Sequence, residues 1–160
     1  MANERLDRTY RLEPLDSSGI FLGRAAACDM VRPGVALFCL NPTPGKQNPM
    51  RRGVELKARI VLLRRVEVGQ TVGYNATWTA RRPSRIAILG AGYADGYSRA
   101  ASGDDNKPGG HVLVSSVKCP IIGRVSMDLM AIDITDLPPN AAKRGDFVTL
   151  IGEGLELEEV

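Results

Sequence analysis

The sequence predicts a mainly β fold, closed as a barrel or packed as a sandwich, and three observations predict it. Seventeen Gly and ten Pro interrupt 160 residues so often that a long helix has little room. Apolar residues alternate at period two in several segments, and short apolar runs recur between turn-rich pieces such as Ser-Gly-Asp-Asp-Asn-Lys-Pro-Gly-Gly at 102–110. The clearest strand is 54–62, where Val54, Leu56, Ala58, Ile60 and Leu62 share one face and Glu55, Lys57 and Arg59 the other, the pattern of a half-buried antiparallel strand. Further strands are expected at 85–89, 111–114, 120–122, 130–135 and 147–151. Residues 1–45 read differently. A short apolar strand at 35–40 follows Arg32-Pro33-Gly34 and runs into Asn41-Pro-Thr-Pro-Gly45, which suggests the end of another domain and a boundary near 41–50. At the far end, acids crowd residues 152–160 where a helix N-terminus favours them.

Composition narrows the function. With 44% apolar, 24% charged and 5% aromatic residues the chain is that of a globular domain, neither disordered nor fibrous. The net charge of +3 comes with Arg pairs scattered between apolar runs, without a basic helix or interleaved aromatics, which argues against nucleic-acid binding. No apolar run approaches the roughly 20 residues that span a bilayer, and no hydrophobic stretch follows the charged start, so no membrane role is expected and a cytoplasmic location is the default. Cys28, Cys39 and Cys119 are odd in number and widely spaced, and read as small buried hydrophobes. The one histidine, His111, opens an apolar run as a strand-edge imidazole would, so no metal site is expected.

Four places carry candidate chemistry. Gly73-Tyr74-Asn-Ala-Thr-Trp78 sets polar aromatic donors in a turn, and Gly90-Ala-Gly-Tyr93-Ala-Asp-Gly-Tyr97 surrounds two tyrosines with glycines that permit close backbone approach. Gly123-Arg-Val-Ser-Met127-Asp128 ends a buried strand in polar groups. Asp16-Ser17-Ser-Gly19, with Arg32-Pro-Gly34, offers hydroxyls, free N–H groups and a guanidinium, the parts of an anion site. The plainer reading remains open at each: Asp95-Gly96 is ordinary turn chemistry with the tyrosines packed on a sheet, and Ser-Met-Asp can simply end a strand.

Taken together and in order, Ser17, Met30-Val-Arg-Pro-Gly-Val-Ala-Leu37, Gly73-Tyr-x-Ala-Thr-Trp-Thr-Ala80, Gly92-Tyr-Ala-Asp-Gly-Tyr97, Pro120-Ile-Ile-Gly-Arg-Val-Ser-Met-Asp128 and Gly145-Asp-x-Val-x-Leu-Ile-Gly152 resemble the bacterial alanine racemases over roughly residues 15–155. The resemblance implies a C-terminal β domain at 46–160, preceded at 1–45 by the end of a pyridoxal 5'-phosphate-binding (β/α)8 barrel. It implies a homodimer whose active site is shared between subunits and which interconverts L- and D-alanine, supplying D-alanine for peptidoglycan. By the same analogy Tyr74 is one of two bases, acting in trans on the substrate Cα proton, while the covalent cofactor lysine lies outside this chain. Two bases are needed because one rigid group cannot remove and return a proton on opposite faces. Arg32 matches the arginine at the cofactor's pyridine nitrogen, and Ser17, Gly34 and Val35 match its phosphate cradle. Met127, Tyr93 and Asp128 match substrate-binding positions. Asn75, Trp78, Ser126 and Cys39 depart from the commoner family residues without removing a matched functional group. The resemblance further implies that the isolated chain is inactive. Two other readings are a non-catalytic β interaction module, marked by Tyr74 and Tyr93 exposed for a protein partner, and a racemase of another amino acid such as serine.

Overall fold

The computed structural model describes residues 15–22, 31–51 and 53–155. Cys28, Met30, residues 1–14 and the acidic stretch 156–160 lie outside the described residues. The chain divides into two compact units, 1–54 and 55–160.

In the second unit six strands close a barrel. They are β1 (Leu56–Val66), β4 (Ser84–Leu89), β5 (His111–Val114), β6 (Val117–Ile122), β7 (Met130–Asp133) and β8 (Phe147–Ile151), and a ribbon of β2 (Thr71–Val72) and β3 (Trp78–Thr79) is separate from them. The order around the barrel is β1-β4-β7-β6-β5-β8, and every pairing is antiparallel. The mainly β expectation is met, in its closed form.

Closure depends on β1, which is long enough to serve two neighbours. Its first half pairs with β8 (Ala58 opposite Val148) and its second half with β4 (Val66 opposite Ser84). Between the pairs Ile60–Leu89 and Leu62–Ile88 the register slips, leaving Val61 as the extra residue of a bulge, and a second slip falls between Leu56 and Lys57. Bulges of this kind bend a strand and let a sheet turn a corner. They also correct the expectation of one continuous buried face: Ala58 and Ile60 point inward, whereas Leu56 and Leu62, on the far sides of the slips, are exposed.

The barrel interior is filled by Ala58, Ile60, Ala87, Leu89, Val112, Val114, Cys119, Ile121, Met130, Ile132, Val148 and Leu150. Each large aliphatic side chain buried here contributes about 1.5–3 kcal/mol. A second apolar cluster lies on the outside wall, where Val72, Ala80 and Trp78 of the ribbon region cover Ile86 and Ile88 of β4, Ile122 of β6 and Ala131 of β7. A two-stranded ribbon is marginal alone in water, so this packing is what gives it a fixed place. The turn joining β5 to β6 puts Ser115 (φ 50°) and Ser116 (φ 68°) in the left-handed region, the geometry of a tight hairpin.

In the first unit Leu15 and Val31 form a parallel bridge, with the Arg32 N–H donating to the Leu15 carbonyl at 2.8 Å. Asp16 caps a single helical turn, Ser17–Ile20, by accepting from the Gly19 N–H at 2.8 Å. The strand expected at 35–40 is a 3₁₀ turn, Val35–Phe38, closed by Cys39 at φ 65°. The Leu37, Cys39 and Leu40 N–H groups bond back to the carbonyls of Gly34, Ala36 and Val35, and Ser17 from further back takes the Gly34 and Ala36 N–H groups, leaving no ladder for a neighbouring strand.

Candidate functional site

Antiparallel order determines where the motif loops go. The end of β4, the start of β7, the end of β6 and the start of β5 must share one rim, so the loops at 90–97, 123–129 and 102–110 emerge together. The ribbon tip, Tyr74–Ala76, joins them through a close glycine contact. Gly73 has φ +82° and Gly123 φ +67°, and a Cβ on Gly123 would stand 2.8 Å from the Val72 carbonyl oxygen. Gly92 is needed for a different reason: its backbone is extended, but a Cβ there would meet the Met127 and Ser126 carbonyl oxygens at 2.3 and 2.4 Å.

This close approach lets the Tyr93 N–H donate to the Ser126 carbonyl (3.0 Å) and the Ala94 N–H to the Met127 carbonyl (2.9 Å). The loop bearing Met127 and Asp128 closes on itself, with the Ser126 N–H donating to the Leu129 carbonyl at 2.9 Å and the Ser126 hydroxyl to the same oxygen at 2.7 Å. Asp95 accepts from the Gly92 N–H at 2.9 Å and so fixes the turn that carries Tyr93.

Tyr74 is 68% exposed. It lines a shallow depression of about 330 Å³ with Val72, Ile88, Arg124, Ser126 and Leu129. The residues after it are strained, since Asn75 (φ 62°) and Ala76 (φ 49°) both adopt left-handed backbone. Asparagine tolerates this region, but for Ala76 it costs about 1–2 kcal/mol, and such conformations concentrate at functional sites, where the surroundings over-determine them. Tyr97, at the end of the second motif, is core instead: it is 5% exposed, and burial pushes its phenol pKa up and keeps it neutral.

Tyr93, Met127 and Asp128 are all exposed at this rim, Tyr93 and Met127 joined through the backbone bonds above. The structure adds two cations that residue-by-residue reading of the sequence did not single out. The Arg99 guanidinium lies over the Tyr93 ring, 5.1 Å from its centroid, and Arg124 lines the Tyr74 depression. Arg124 sits inside the motif 123–128 and was legible there; Arg99 carries no signal beyond lying past the Gly96 turn.

The remaining candidates belong to the first unit. Ser17 is 3% exposed, and its Oγ accepts from the Gly34 N–H at 2.7 Å and the Ala36 N–H at 3.2 Å. The Gly34 amide expected in the phosphate cradle is thus committed to Ser17, and Val35 and Arg32 are exposed. Ser17 Oγ accepts both the Gly34 and the Ala36 bond, which leaves its own hydroxyl proton to donate. Among the described residues no group of three or more His, Cys, Asp or Glu is placed to hold a metal ion, and no helix is long and apolar enough to cross a membrane. Cys119 is buried and Cys39 half-buried, and His111 is exposed at the start of β5.

The family model for the alanine racemase C-terminal domain matches residues 53–160. The chain belongs to that family. An alanine racemase of Methylobacterium nodulans is 53% identical over 145 residues, covering 91% of this chain and 38% of that protein. One from Rickettsia bellii is 42% identical across 99% of this chain and 42% of its own length. Among solved structures, the Bartonella henselae alanine racemase with covalently bound pyridoxal phosphate superposes with a TM-score of 0.79 at 39% identity, covering 91% of this chain and 39% of that one. The biosynthetic alanine racemase of Pseudomonas aeruginosa gives 0.75 at 40% identity, with the same coverage of each chain. The chain thus spans about two fifths of the alanine racemases it matches. Its racemase domain holds the three glycine-locked loops, and the matched stretch extends beyond that domain toward the Ser17 unit.

Proposed function

We propose that this chain supplies the C-terminal part of a pyridoxal-phosphate-dependent alanine racemase, with Tyr74 as one of the two groups that move the substrate Cα proton. The observation that carries the reading is the setting of Tyr74: a solvent-facing phenol on a strained tip, locked between glycines to the loop that bears Met127. Exposure sets Tyr74 apart from a tyrosine kept for packing such as Tyr97. Family membership supports the substrate class.

In this reading Ser17 and the backbone amides of Gly34 and Val35 would hold the cofactor phosphate, the Gly34 amide turning from Ser17 Oγ to do so. Arg32, permanently protonated, would face the cofactor's pyridine nitrogen as a donor and disfavour a proton there. Pyridoxal phosphate supplies, when bound, the electron sink that acidifies the substrate Cα–H. Tyr74 takes or returns that proton on one face, working in trans across a homodimer, and the lysine that serves the other face lies outside this chain. The Met127 main chain, with Tyr93 and Asp128, orients the substrate. The residues at 1–45 represent the end of the cofactor-binding barrel, and the product serves as D-alanine for peptidoglycan in the cytoplasm.

The test is a chimera in which this chain replaces the matching stretch of the Methylobacterium nodulans enzyme. Tyr74→Phe should lower L-alanine turnover by about 10²–10⁴-fold, the usual worth of an acid–base group, while the cofactor absorbance is retained. Turnover near wild type refutes the role. The 160-residue chain alone, titrated with pyridoxal phosphate and assayed for D-alanine, is expected to bind weakly and to form none.

A further inference from the structure

The strained tip is held on one side by the Gly73–Gly123 contact, and its other side returns through Thr77 into β3. The loop at 102–110, plain turn chemistry by sequence, lies against that side. The Asp105 carboxylate accepts from the Thr79 N–H at 2.9 Å through one oxygen and from the Thr79 hydroxyl at 2.8 Å through the other. The Asp105 N–H donates to the Thr77 carbonyl at 3.0 Å, and Arg81 donates to the Asp105 carbonyl at 3.1 Å. Four bonds therefore join one residue to the stretch 77–81, directly after the Tyr74 turn.

The residue is presented from a rigid base. Asp104 accepts from the N–H groups of Asn106 and Lys107, both at 2.8 Å, and closes the turn. At the loop's root the Gly103 N–H donates to the Gly123 carbonyl at 3.1 Å, and Gly103 and Gly109 lie too close for a side chain on either. Gly123 is also the residue that Gly73 packs against, so both sides of the tip are referred to one point on the barrel rim. The ribbon pairs at Thr71–Thr79 and Val72–Trp78 and continues at its base through the Gly69 N–H to Ala80 carbonyl (2.8 Å) and Ala80 N–H to Gln70 carbonyl (2.9 Å) bonds, whereas within the tip the Ala76 N–H reaches the Gly73 carbonyl only at 3.4 Å. Val72, Trp78 and Ala80 seat the body of the ribbon on the barrel wall, so what Asp105 adds is a hold on the stretch next to the left-handed residues.

We infer that Asp105 is a positioning residue for Tyr74, clasping β3 so that the strained turn before it holds the phenol in place. The inference rests on the reading of Tyr74 as a reacting group, but the clasp itself can be measured without catalysis. Thr79 also holds the Asp105 carboxyl below the usual range, first through its backbone N–H and then through its hydroxyl, as a well-formed clasp requires.

Trp78 is the chain's sole tryptophan and sits within the clasped segment. In the full chain, Asp105→Ala should raise acrylamide quenching of Trp78 and speed amide exchange at residues 73–79 by about tenfold, with β4 and β7 unchanged, as expected for local opening. Asp105→Asn, which keeps one acceptor, and Thr79→Val, which loses only the hydroxyl bond, should fall between; they decide the matter should Asp105→Ala not fold. Unchanged exchange at 73–79 in the variants that fold, or equal loosening of β4 and β7, overturns the inference. In the chimera, Asp105→Asn should lower kcat by about 10- to 100-fold, the cost of a misplaced group, with KM for L-alanine little changed. A loosened tip with full turnover in both Asp105→Asn and Tyr74→Phe leaves the clasp standing and removes the catalytic reading. A crippled Tyr74→Phe beside an Asp105→Asn of normal kcat and normal exchange does the reverse.

Discussion

Replacing Gly92 by alanine tests whether the rim is built by backbone contact. Gly92 has φ −155°, a conformation any residue adopts, so the substitution adds no torsional strain. It does place a methyl group 2.3 Å from the Met127 carbonyl oxygen and 2.4 Å from that of Ser126. Real contacts of this kind do not go below 3.0 Å, so the two loops must part by most of an ångström. That separation takes the Tyr93 N–H to Ser126 bond (3.0 Å) and the Ala94 N–H to Met127 bond (2.9 Å) out of range. Each lost bond costs about 0.5–1.5 kcal/mol, and a donor left without water costs more, giving a total of about 2–4 kcal/mol. Gly96 is the control, with φ +91° and nothing within 4 Å of an added Cβ, so Gly96→Ala pays only the left-handed backbone term of about 1–2 kcal/mol. Urea denaturation of both variants, followed by Trp78 fluorescence and circular dichroism, reads the difference. If Gly92→Ala is within 0.5 kcal/mol of wild type, or less destabilising than Gly96→Ala, the backbone account of the rim is wrong.

Other outcomes follow from single features. Ser116 occupies φ 68° in the β5–β6 turn while the Ser115 hydroxyl donates to the Ala141 carbonyl at 3.2 Å; Ser116→Gly should therefore stabilise by about 1 kcal/mol and raise Tm by about 4 °C in a calorimetric scan. Burial, with smaller contributions from Asp133 and Asp136, pushes the Cys119 thiol up to about 11. Its folded value is raised, so this contribution to stability is complete below the ordinary thiol range near 8.5 and is lost as pH climbs toward the folded value. Native Cys119 should resist iodoacetamide at pH 8 and react once the chain is unfolded in urea, which mass spectrometry of the labelled peptide detects. Ser17→Ala leaves the Gly34 and Ala36 N–H groups without their acceptor at a cost of about 1–3 kcal/mol; hydrogen exchange at 34–38 should accelerate while the barrel strands stay protected.

The legible parts of the fold were those governed by local pattern. His111–Val114 and Phe147–Ile151 match their expected bounds because an apolar run between turn residues has one easy fate in a β domain. The bulge at Val61 was not legible, because Val61, Leu62 and Leu63 are all apolar and a period-two count cannot show where one residue is skipped. The run at 35–40 misled for a longer-range reason: Ser17, well back in the chain, captures the N–H groups of Gly34 and Ala36 and helps wind the segment into a turn. At the rim, the motifs displayed Tyr74, Tyr93 and Met127 as candidates, and the glycines hinted at close approach. Which glycine meets which carbonyl depends on the barrel order, and Asp105 was hidden because an Asp in a Gly-rich loop has an adequate explanation as turn chemistry.

Each strand of the closed barrel has a neighbour on both sides, but β1 divides its length between them, Lys57–Arg59 paired with β8 and Leu62–Val66 with β4. The β2–β3 ribbon stands outside this ring, and the Thr79 N–H on its flank is taken up by Asp105 instead of by another strand. Past Ala80, Arg81 donates to the Asp105 carbonyl and Arg82 pairs with Asp136, so the trailing end of the ribbon is tied to two different loops of the barrel.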